Sequence, residues 1–327
     1  MQKKYQKLLF WILFIVIFSL LVLIATFYDY SISEILAQKG FANGNYFSSN
    51  LFGRIFEVIG EMPLYLFLMS AFAILLVNCK NIQKKNLRVI LQIVFYIGGC
   101  VSCFYGIYKI GKYLSQLYPD KLAYLHDHFL TYSIMFILAL FIQFVFCFLL
   151  FKKLPSTCQK LLPLACIILF TAACSQLIVQ GIKPIFGRER YRAIYYLNYY
   201  GFEHQGFTRW YIINGSSMKI AASYQGDSYI TSTFFSSFPS GHTCGAGITY
   251  TLMFLPLYFE KFNQKKYKWL FILLPIFITG IVGFSRIVMG AHYMSDVLFG
   301  GTVAFLSAIF GYKLYSLLLK KIKTAKN

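Results

Sequence analysis

The sequence has few charged residues for its length. Of its 327 residues only 13% are charged, and just 11 of them are Asp or Glu. A typical soluble domain carries about 25% charged residues, so this composition excludes an ordinary soluble globular protein. The hydrophobic content of 58% and the aromatic content of 20% instead favour a protein embedded in a membrane.

Two further features are missing from the sequence. It contains no zinc-finger, helix-turn-helix or other nucleic-acid signature, so we expect no nucleic-acid partner despite the net charge of +20. Its eight cysteines lie in apolar runs or in loops that we assign to the cytoplasm, which argues against a secreted disulfide framework. Cys100 and Cys103 form a CxxC inside an apolar run without a second pair, so we interpret them as helix-packing residues rather than a zinc or redox site.

Long apolar runs recur along the chain, and a helix needs roughly 20 apolar residues to cross the hydrocarbon core. The first run follows three lysines, so it could be a cleaved signal peptide or a retained transmembrane helix. Its length and the lack of a cleavage site favour a retained helix. The sequence therefore predicts an all-α, polytopic membrane bundle that forms one integral-membrane domain over residues 1–327. The eight predicted transmembrane helices are Leu8–Phe27, Phe56–Asn78, Val89–Ile110, Thr131–Phe151, Leu161–Ile182, Pro239–Phe259, Trp269–Arg286 and Tyr293–Leu318.

The distribution of Lys and Arg predicts the orientation of these helices. Placing the N-terminus in the cytoplasm puts most of the 31 basic residues in short inner segments. An even number of helices then returns the C-terminus to the cytoplasm. The longest outer segment, residues 191–238, is rich in Tyr, Ser and Gly, and we expect it to be a partly ordered loop that caps a site on the outer face.

Cations gather at the ends of two apolar runs near this face. Lys183 and Arg190 follow one run, and Arg286 ends another. Such residues can hold the oxygens of a phosphate ester, Arg through two parallel hydrogen bonds and Lys as a point charge. The alternative is that each of them extends to lipid headgroups without any site.

The run Pro239-Ser240-Gly241-His242 opens an apolar segment and has the composition of a helix start. A helix start binds anions through its free N–H groups, and Gly241 permits close approach of a phosphate. The alternative is an ordinary capped helix without a ligand, but His242 at this position favours a phosphate-binding site.

His292 and Asp296 are four residues apart, so on a helix they share one face. Asp296 can then accept a hydrogen bond from His292 and stabilise its imidazolium form. Because no Ser or Cys stands nearby in a nucleophile motif, His292 itself becomes the candidate nucleophile. A His and an Asp at this spacing alone are more often structural.

Taken together, the three clusters resemble the tripartite signature of the type 2 phosphatidic acid phosphatase superfamily, which also contains bacterial acid phosphatases and vanadium haloperoxidases. The first motif, Lys, six residues and Arg-Pro, matches Lys183 and Arg190, but Tyr191 replaces the Pro. The second, Pro-Ser-Gly-His, is intact at residues 239–242. The third, Ser-Arg, five residues, His, three residues and Asp, is intact from Ser285 to Asp296. We expect the replacement of the motif Pro by Tyr191 to affect substrate preference more than catalysis.

The resemblance implies a role for each matching residue. His292 would attack phosphorus and form a phosphohistidine, Asp296 would orient it, and His242 would protonate the leaving oxygen and later activate water. No metal or other cofactor is implied. The membrane members have a six-helix core, so this chain would carry two additional helices. The phosphate oxygens would be held by Lys183, Arg190, Ser240, Gly241 and Arg286.

Three functions are compatible with this pattern. The first is a lipid phosphatase at the outer face of a bacterial inner membrane, because the site lies at helix ends where lipid headgroups are. The second is a lipid phosphotransferase that uses a hydroxyl acceptor in place of water. The third is a non-enzymatic lipid-binding or transport protein, which has no need for His242, His292 and Asp296 together. The partners expected are a lipid phosphate substrate and membrane lipids.

Overall fold

The computed structural model describes residues 2–37, 50–224 and 230–324, and these residues form helices and connections without a β-strand. The predicted all-α class is confirmed. The long helices are α1 (Gln2–Leu36), α4 (Lys85–Leu117), α7 (Phe129–Lys153), α8 (Pro155–Phe186), α12 (Lys265–Val288) and α13 (Met294–Thr324). The shorter ones are α2 (Leu51–Ile59), α3 (Met62–Asn78), α5 (Pro119–Leu122), α6 (Tyr124–Asp127), α9 (Tyr191–Tyr199), α10 (Ser217–Ala222) and α11 (Gly241–Ala246).

Seven helical segments in the described part of the chain are long and apolar enough to cross a membrane. The apolar side chains of the first segment are mostly exposed, as Leu9 and Leu20 illustrate. Such an exposed apolar helix surface is suited to contact with lipid chains. Together with the seven spans, it is typical of an integral, multi-pass membrane protein. The seven segments are Leu8–Leu36, Leu51–Asn81, Lys85–Gln116, Phe129–Lys152, Pro155–Tyr199, Lys265–Val288 and Met294–Leu319.

The eighth predicted helix, Pro239–Phe259, differs from the prediction. The α-helix α11 ends at Ala246 and continues as a 3-10 helix over Gly247–Leu257. Three glycines and several β-branched residues lower the α-helix propensity of this stretch, and Pro256 lacks an N–H donor. Because a 3-10 helix rises about 2 Å per residue, the two parts together still span roughly 30 Å.

The chain forms two compact units, each assembled from three segments. The first unit contains Met1–Gly53, Val179–Ser240 and Gly283–Gly300. The second unit contains Arg54–Ile178, Gly241–Val282 and Gly301–Asn327. The assignment of residues 1–327 to a single domain stays a prediction.

The core of the second unit combines small and branched side chains. Ala71, Ala165 and Ala308 are fully or almost fully buried there, together with Ile167 and Ile248. Apolar burial gives little driving force inside a bilayer, so packing between membrane helices depends on van der Waals contact. Small residues allow the helix backbones to approach closely, which is why alanines are numerous in this core.

The segment predicted as an outer loop contains regular structure within the first unit. Besides α9 and α10, it includes a 3-10 helix over Ser232–Phe235, and residues 225–229 lie outside the described part. The indole N–H of Trp210 donates to the Thr26 hydroxyl of α1 at 2.9 Å. The Trp210 ring also packs against Phe299 with centroids 4.7 Å apart. These contacts hold the segment to the beginning and end of the first unit.

Candidate active site

The first motif lies at the end of α8. Lys183 is in the last turn of this helix, and Arg190 precedes α9 in an extended backbone conformation. A Pro at the next position would impose this extended conformation on Arg190, yet the chain adopts it with Tyr191. The Tyr191 side chain is buried and packs against Tyr30 at 5.6 Å between centroids. The departure from the motif therefore leaves the local backbone extended and adds an aromatic contact with α1.

Ser240 of the second motif is fully buried and is held by α13. Its N–H donates to the carbonyl oxygen of Asp296 at 2.9 Å. A Cβ on Gly300 would collide with the Ser240 carbonyl, so this close approach requires a glycine. The contact joins Ser240 to Asp296 of the third motif within the first unit.

The third motif spans the turn between α12 and α13. The N–H groups of Ala291 and His292 donate to the carbonyl oxygen of Arg286 at 3.0 and 3.2 Å. Arg286 and His292 are both almost completely buried. The turn thus fixes the backbone of His292 against that of Arg286, and Asp296 follows in the first turn of α13.

The hydrogen bond of His292 defines which ring nitrogen is able to react. Its Nδ1 lies 2.6 Å from the carbonyl oxygen of Ser237, and a carbonyl only accepts, so Nδ1 carries the hydrogen. In the neutral ring the lone pair is then on Nε2. Asp296 Oδ2 lies 3.7 Å from Nδ1, which makes Ser237 the nearer acceptor.

His292 is held in its neutral form. Burial lowers the pKa of His292 well below the ordinary value, and the nearby positive charges of Arg190 and Lys183 lower it further. The Asp296 carboxylate opposes this shift. A neutral imidazole with its lone pair on Nε2 is the form that attacks an electrophile.

Asp296 accepts hydrogen bonds from three side-chain or backbone donors. Arg188 Nη1 donates to Oδ1 at 2.5 Å, and the Tyr293 N–H donates to Oδ2 at 2.8 Å. The Ser237 hydroxyl also donates to Oδ2. Ser237 therefore contacts both catalytic candidates, His292 through its carbonyl and Asp296 through its hydroxyl.

Sequence reasoning missed Arg188, which it treated as a spacer residue of the first motif. The side chain is completely buried and also donates to Asp29 Oδ2 at 3.0 Å and to the Ser295 hydroxyl at 2.8 Å. Asp29 in turn accepts from the Ser295 N–H at 2.9 Å. A charged residue at the end of an apolar helix is a functional candidate by default, and this signal at Asp29 and Arg188 was available.

The structure brings six of the eight predicted site residues into the first unit: Lys183, Arg190, Ser240, Arg286, His292 and Asp296. Gly241 and His242 begin the second unit, directly after Ser240 in the chain. In that unit, His242 Nδ1 lies 3.4 Å from Glu61 Oε1, and Nε2 lies 3.3 Å from the Glu57 carbonyl oxygen. Within residues 2–37, 50–224 and 230–324, no three His, Cys, Asp or Glu residues are grouped to hold a metal ion.

Comparison with known proteins agrees with the motifs. The family model of the PAP2 superfamily matches residues 163–319. This part of the chain includes all three clusters, and the match agrees with the superfamily that their spacing indicated. The match supports a phosphoric ester hydrolase in general terms. No curated protein and no solved structure matches the chain.

Proposed function

We propose that this protein is a membrane lipid phosphatase that cleaves a lipid phosphomonoester or diphosphate through a phosphohistidine intermediate. The observation that carries this proposal is the state of His292. Its Nδ1–H is held by the Ser237 carbonyl, its Nε2 bears the lone pair, and two cations act on it. A neutral imidazole beside a cationic oxygen-binding group is suited to attack phosphorus.

The reaction has two steps, transfer of the phosphoryl group to His292 and its hydrolysis. His292 Nε2 forms a bond to phosphorus while the bond to the lipid oxygen breaks, and His242 donates a proton to that oxygen. Water, deprotonated by His242, then attacks phosphorus and releases phosphate from Nε2. The phosphorylated imidazolium keeps its Nδ1–H on the Ser237 carbonyl, with the Asp296 carboxylate close by. We assign the phosphate oxygens to Lys183, Arg190, Ser240, Gly241 and Arg286.

A lipid substrate is supported by the position of the motifs in the chain. Lys183 and Arg286 lie in the last turns of apolar helices, where lipid headgroups meet a membrane protein. The bias of Lys and Arg supports cytoplasmic termini and a site on the outer face of a bacterial inner membrane. We further propose that the segment 191–238 caps this site, since Thr208 and Trp210 of that segment contact Arg188 and α1 within the first unit.

A phosphotransferase is the second candidate, because a lipid or sugar hydroxyl can replace water in the second step. A protein that binds lipid phosphates without turnover is the third. Product analysis separates these functions. A transferase gives a new phosphorylated lipid in the presence of an acceptor, whereas a hydrolase gives inorganic phosphate alone.

The test is phosphate release by the purified protein in detergent micelles. The panel contains phosphatidylglycerophosphate, undecaprenyl diphosphate, phosphatidic acid and lipid A. We expect release from at least one lipid by the wild type and by a matched His128→Ala variant, since His128 is exposed. His292→Ala should release none. No phosphate release from any lipid, together with no phosphorylated product when a hydroxyl acceptor is added, would contradict an enzymatic function.

A further inference from the structure

In the second unit, the helices α2 and α3 are separated by a break at Gly60 and Glu61. Pro63 in the first turn of α3 has no N–H to continue the hydrogen bonding of α2, so a new helix begins at Met62. A Cβ on Gly60 would collide with the Phe56 carbonyl and lie 3.5 Å from His242 Cδ2. The break, made possible by glycine, therefore lets the backbone before α3 approach the ring of His242.

Both ring nitrogens of His242 face oxygen acceptors. Nδ1 lies 3.4 Å from the Glu61 carboxylate and Nε2 lies 3.3 Å from the Glu57 carbonyl oxygen. The side chain of His242 is only 10% exposed. Both nitrogens can donate at once only when the ring is protonated, which is the form that a general acid needs. The Nε2 contact is long for a hydrogen bond, so a leaving oxygen can replace it while Nδ1 stays on Glu61.

Residues of α4 complete this arrangement. Lys109 Nζ lies 3.1 Å from Glu61 Oε2, and both side chains are largely buried. Tyr113, one turn later on α4, places its ring 5.4 Å from the His242 ring and 5.8 Å from Lys109 Nζ. The lysine supplies a positive charge beside the Glu61 carboxylate, and the tyrosine ring packs against the imidazole.

We infer that Glu61 is a positioning residue for His242, with Lys109 as its counter-ion. Glu61 holds Nδ1–H, which directs Nε2 to the leaving oxygen and stabilises the protonated ring before the proton is transferred. This inference rests on the proposed function, in which His242 is the acid for phosphoryl transfer to His292. Each catalytic histidine then has its own acceptor for Nδ1–H: a carbonyl for the nucleophile and a carboxylate for the acid.

The dependence of rate on the leaving group tests this role. The alkyl oxygen of a lipid phosphate needs a proton to leave, whereas p-nitrophenolate leaves without one. We therefore expect Glu61→Gln to lower kcat/KM for the lipid phosphate about 10- to 100-fold, less than the roughly 100- to 10,000-fold of general acid catalysis itself, because Glu61 acts through His242. The same variant should change kcat/KM for p-nitrophenyl phosphate less than about 3-fold. The parameter kcat/KM is used because it reports the first transfer and not the later attack of water.

Three further single variants and one double variant complete the experiment. His242→Ala should show the same selective loss, and adding Glu61→Gln to it should have no further effect, because residues that act as one unit are not additive. Lys109→Met leaves Glu61 in place and should show a weaker selective loss, which provides the answer if Glu61→Gln does not fold. Glu260→Gln, at an exposed position of the same unit, should behave as the wild type.

The outcomes separate this inference from the proposed function. An equal loss for both substrates in Glu61→Gln and Lys109→Met would mean a structural role and overturn the inference alone. A selective loss in His242→Ala without one in either of those variants would also overturn it alone. If His242→Ala has no selective effect, His242 is not the acid, and both the mechanism and the inference fail. Absence of phosphatase activity in the wild type would likewise overturn both.

Discussion

Arg188 and Asp296 form a completely buried ion pair in which Nη1 lies 2.5 Å from Oδ1. The same guanidinium contacts Asp29 of α1 at 3.0 Å. A buried charge is costly unless it is paired and hydrogen-bonded, so the three side chains depend on one another. One arginine therefore joins the first helix to the first and third motifs. We assign to Asp29 and Arg188 the role of holding the Asp296 carboxylate in position.

The first prediction concerns Asp29→Asn. The amide removes one of the two negative charges around Arg188, and breaking a buried ion pair typically costs about 3–5 kcal/mol. We expect a lower melting temperature in detergent and at least a roughly ten-fold fall in phosphate release, since ~1.4 kcal/mol of lost positioning already has that effect. Glu34→Gln, an exposed acid on the same helix, is the control. A wild-type rate and wild-type stability in Asp29→Asn would show that Asp29 of α1 does not help to position Asp296.

The second prediction separates the two contacts of Ser237. Ser237→Ala removes the hydroxyl that donates to Asp296 but keeps the carbonyl that accepts from His292. A hydrogen bond to a charged group contributes about 1.5–3 kcal/mol, so we expect kcat to fall about 10- to 100-fold with little change in KM. Ser236→Ala, which removes a hydroxyl bonded to the Ser232 carbonyl, should leave kcat unchanged. Equal kcat values in the two variants would contradict a catalytic contribution of the Ser237 hydroxyl.

The third prediction concerns the protonation of His292. Because burial lowers its pKa well below the ordinary value of about 6.5, we expect the ring to remain neutral as the pH falls towards 6. Nuclear magnetic resonance of labelled histidine should show a neutral ring with hydrogen on Nδ1 that does not titrate between pH 8 and about 6. The unfolded state takes up this proton while the folded state does not, so the free energy of unfolding should fall as pH drops below about 6.5. Titration of His292 near pH 6.5 would contradict the neutral nucleophile.

Hydropathy and motif spacing predicted the helical class, the membrane location and the three clusters. Hydropathy does not distinguish an α-helix from a 3-10 helix, which is why the end of α11 at Ala246 was not predicted. Arg188 and Asp29 are 159 residues apart in the chain, and only the folded structure brings such distant charges together. Ser237 acts partly through its backbone carbonyl, a group that every residue has and that no sequence pattern marks.

The fourth prediction concerns metal ions. The mechanism assigns the phosphate charge to Lys and Arg side chains and to backbone N–H groups, and none of its steps uses a metal ion. We expect the rate of phosphate release to stay within about two-fold of its original value after dialysis against EDTA, because cationic side chains supply the electrostatic stabilisation. Loss of activity that is restored only by a divalent metal would refute this assignment. Activity before and after adding back magnesium or zinc is the measurement.

The most direct test of the account is to trap the phosphorylated enzyme. Wild-type protein is mixed with lipid phosphate carrying a radiolabelled phosphoryl group, quenched in denaturant within the first turnover and digested. We predict a label that is stable to base and labile to acid, on the peptide that contains His292, and no label in His292→Ala. Turnover without any trapped label, or label that persists in His292→Ala, would contradict His292 as the nucleophile.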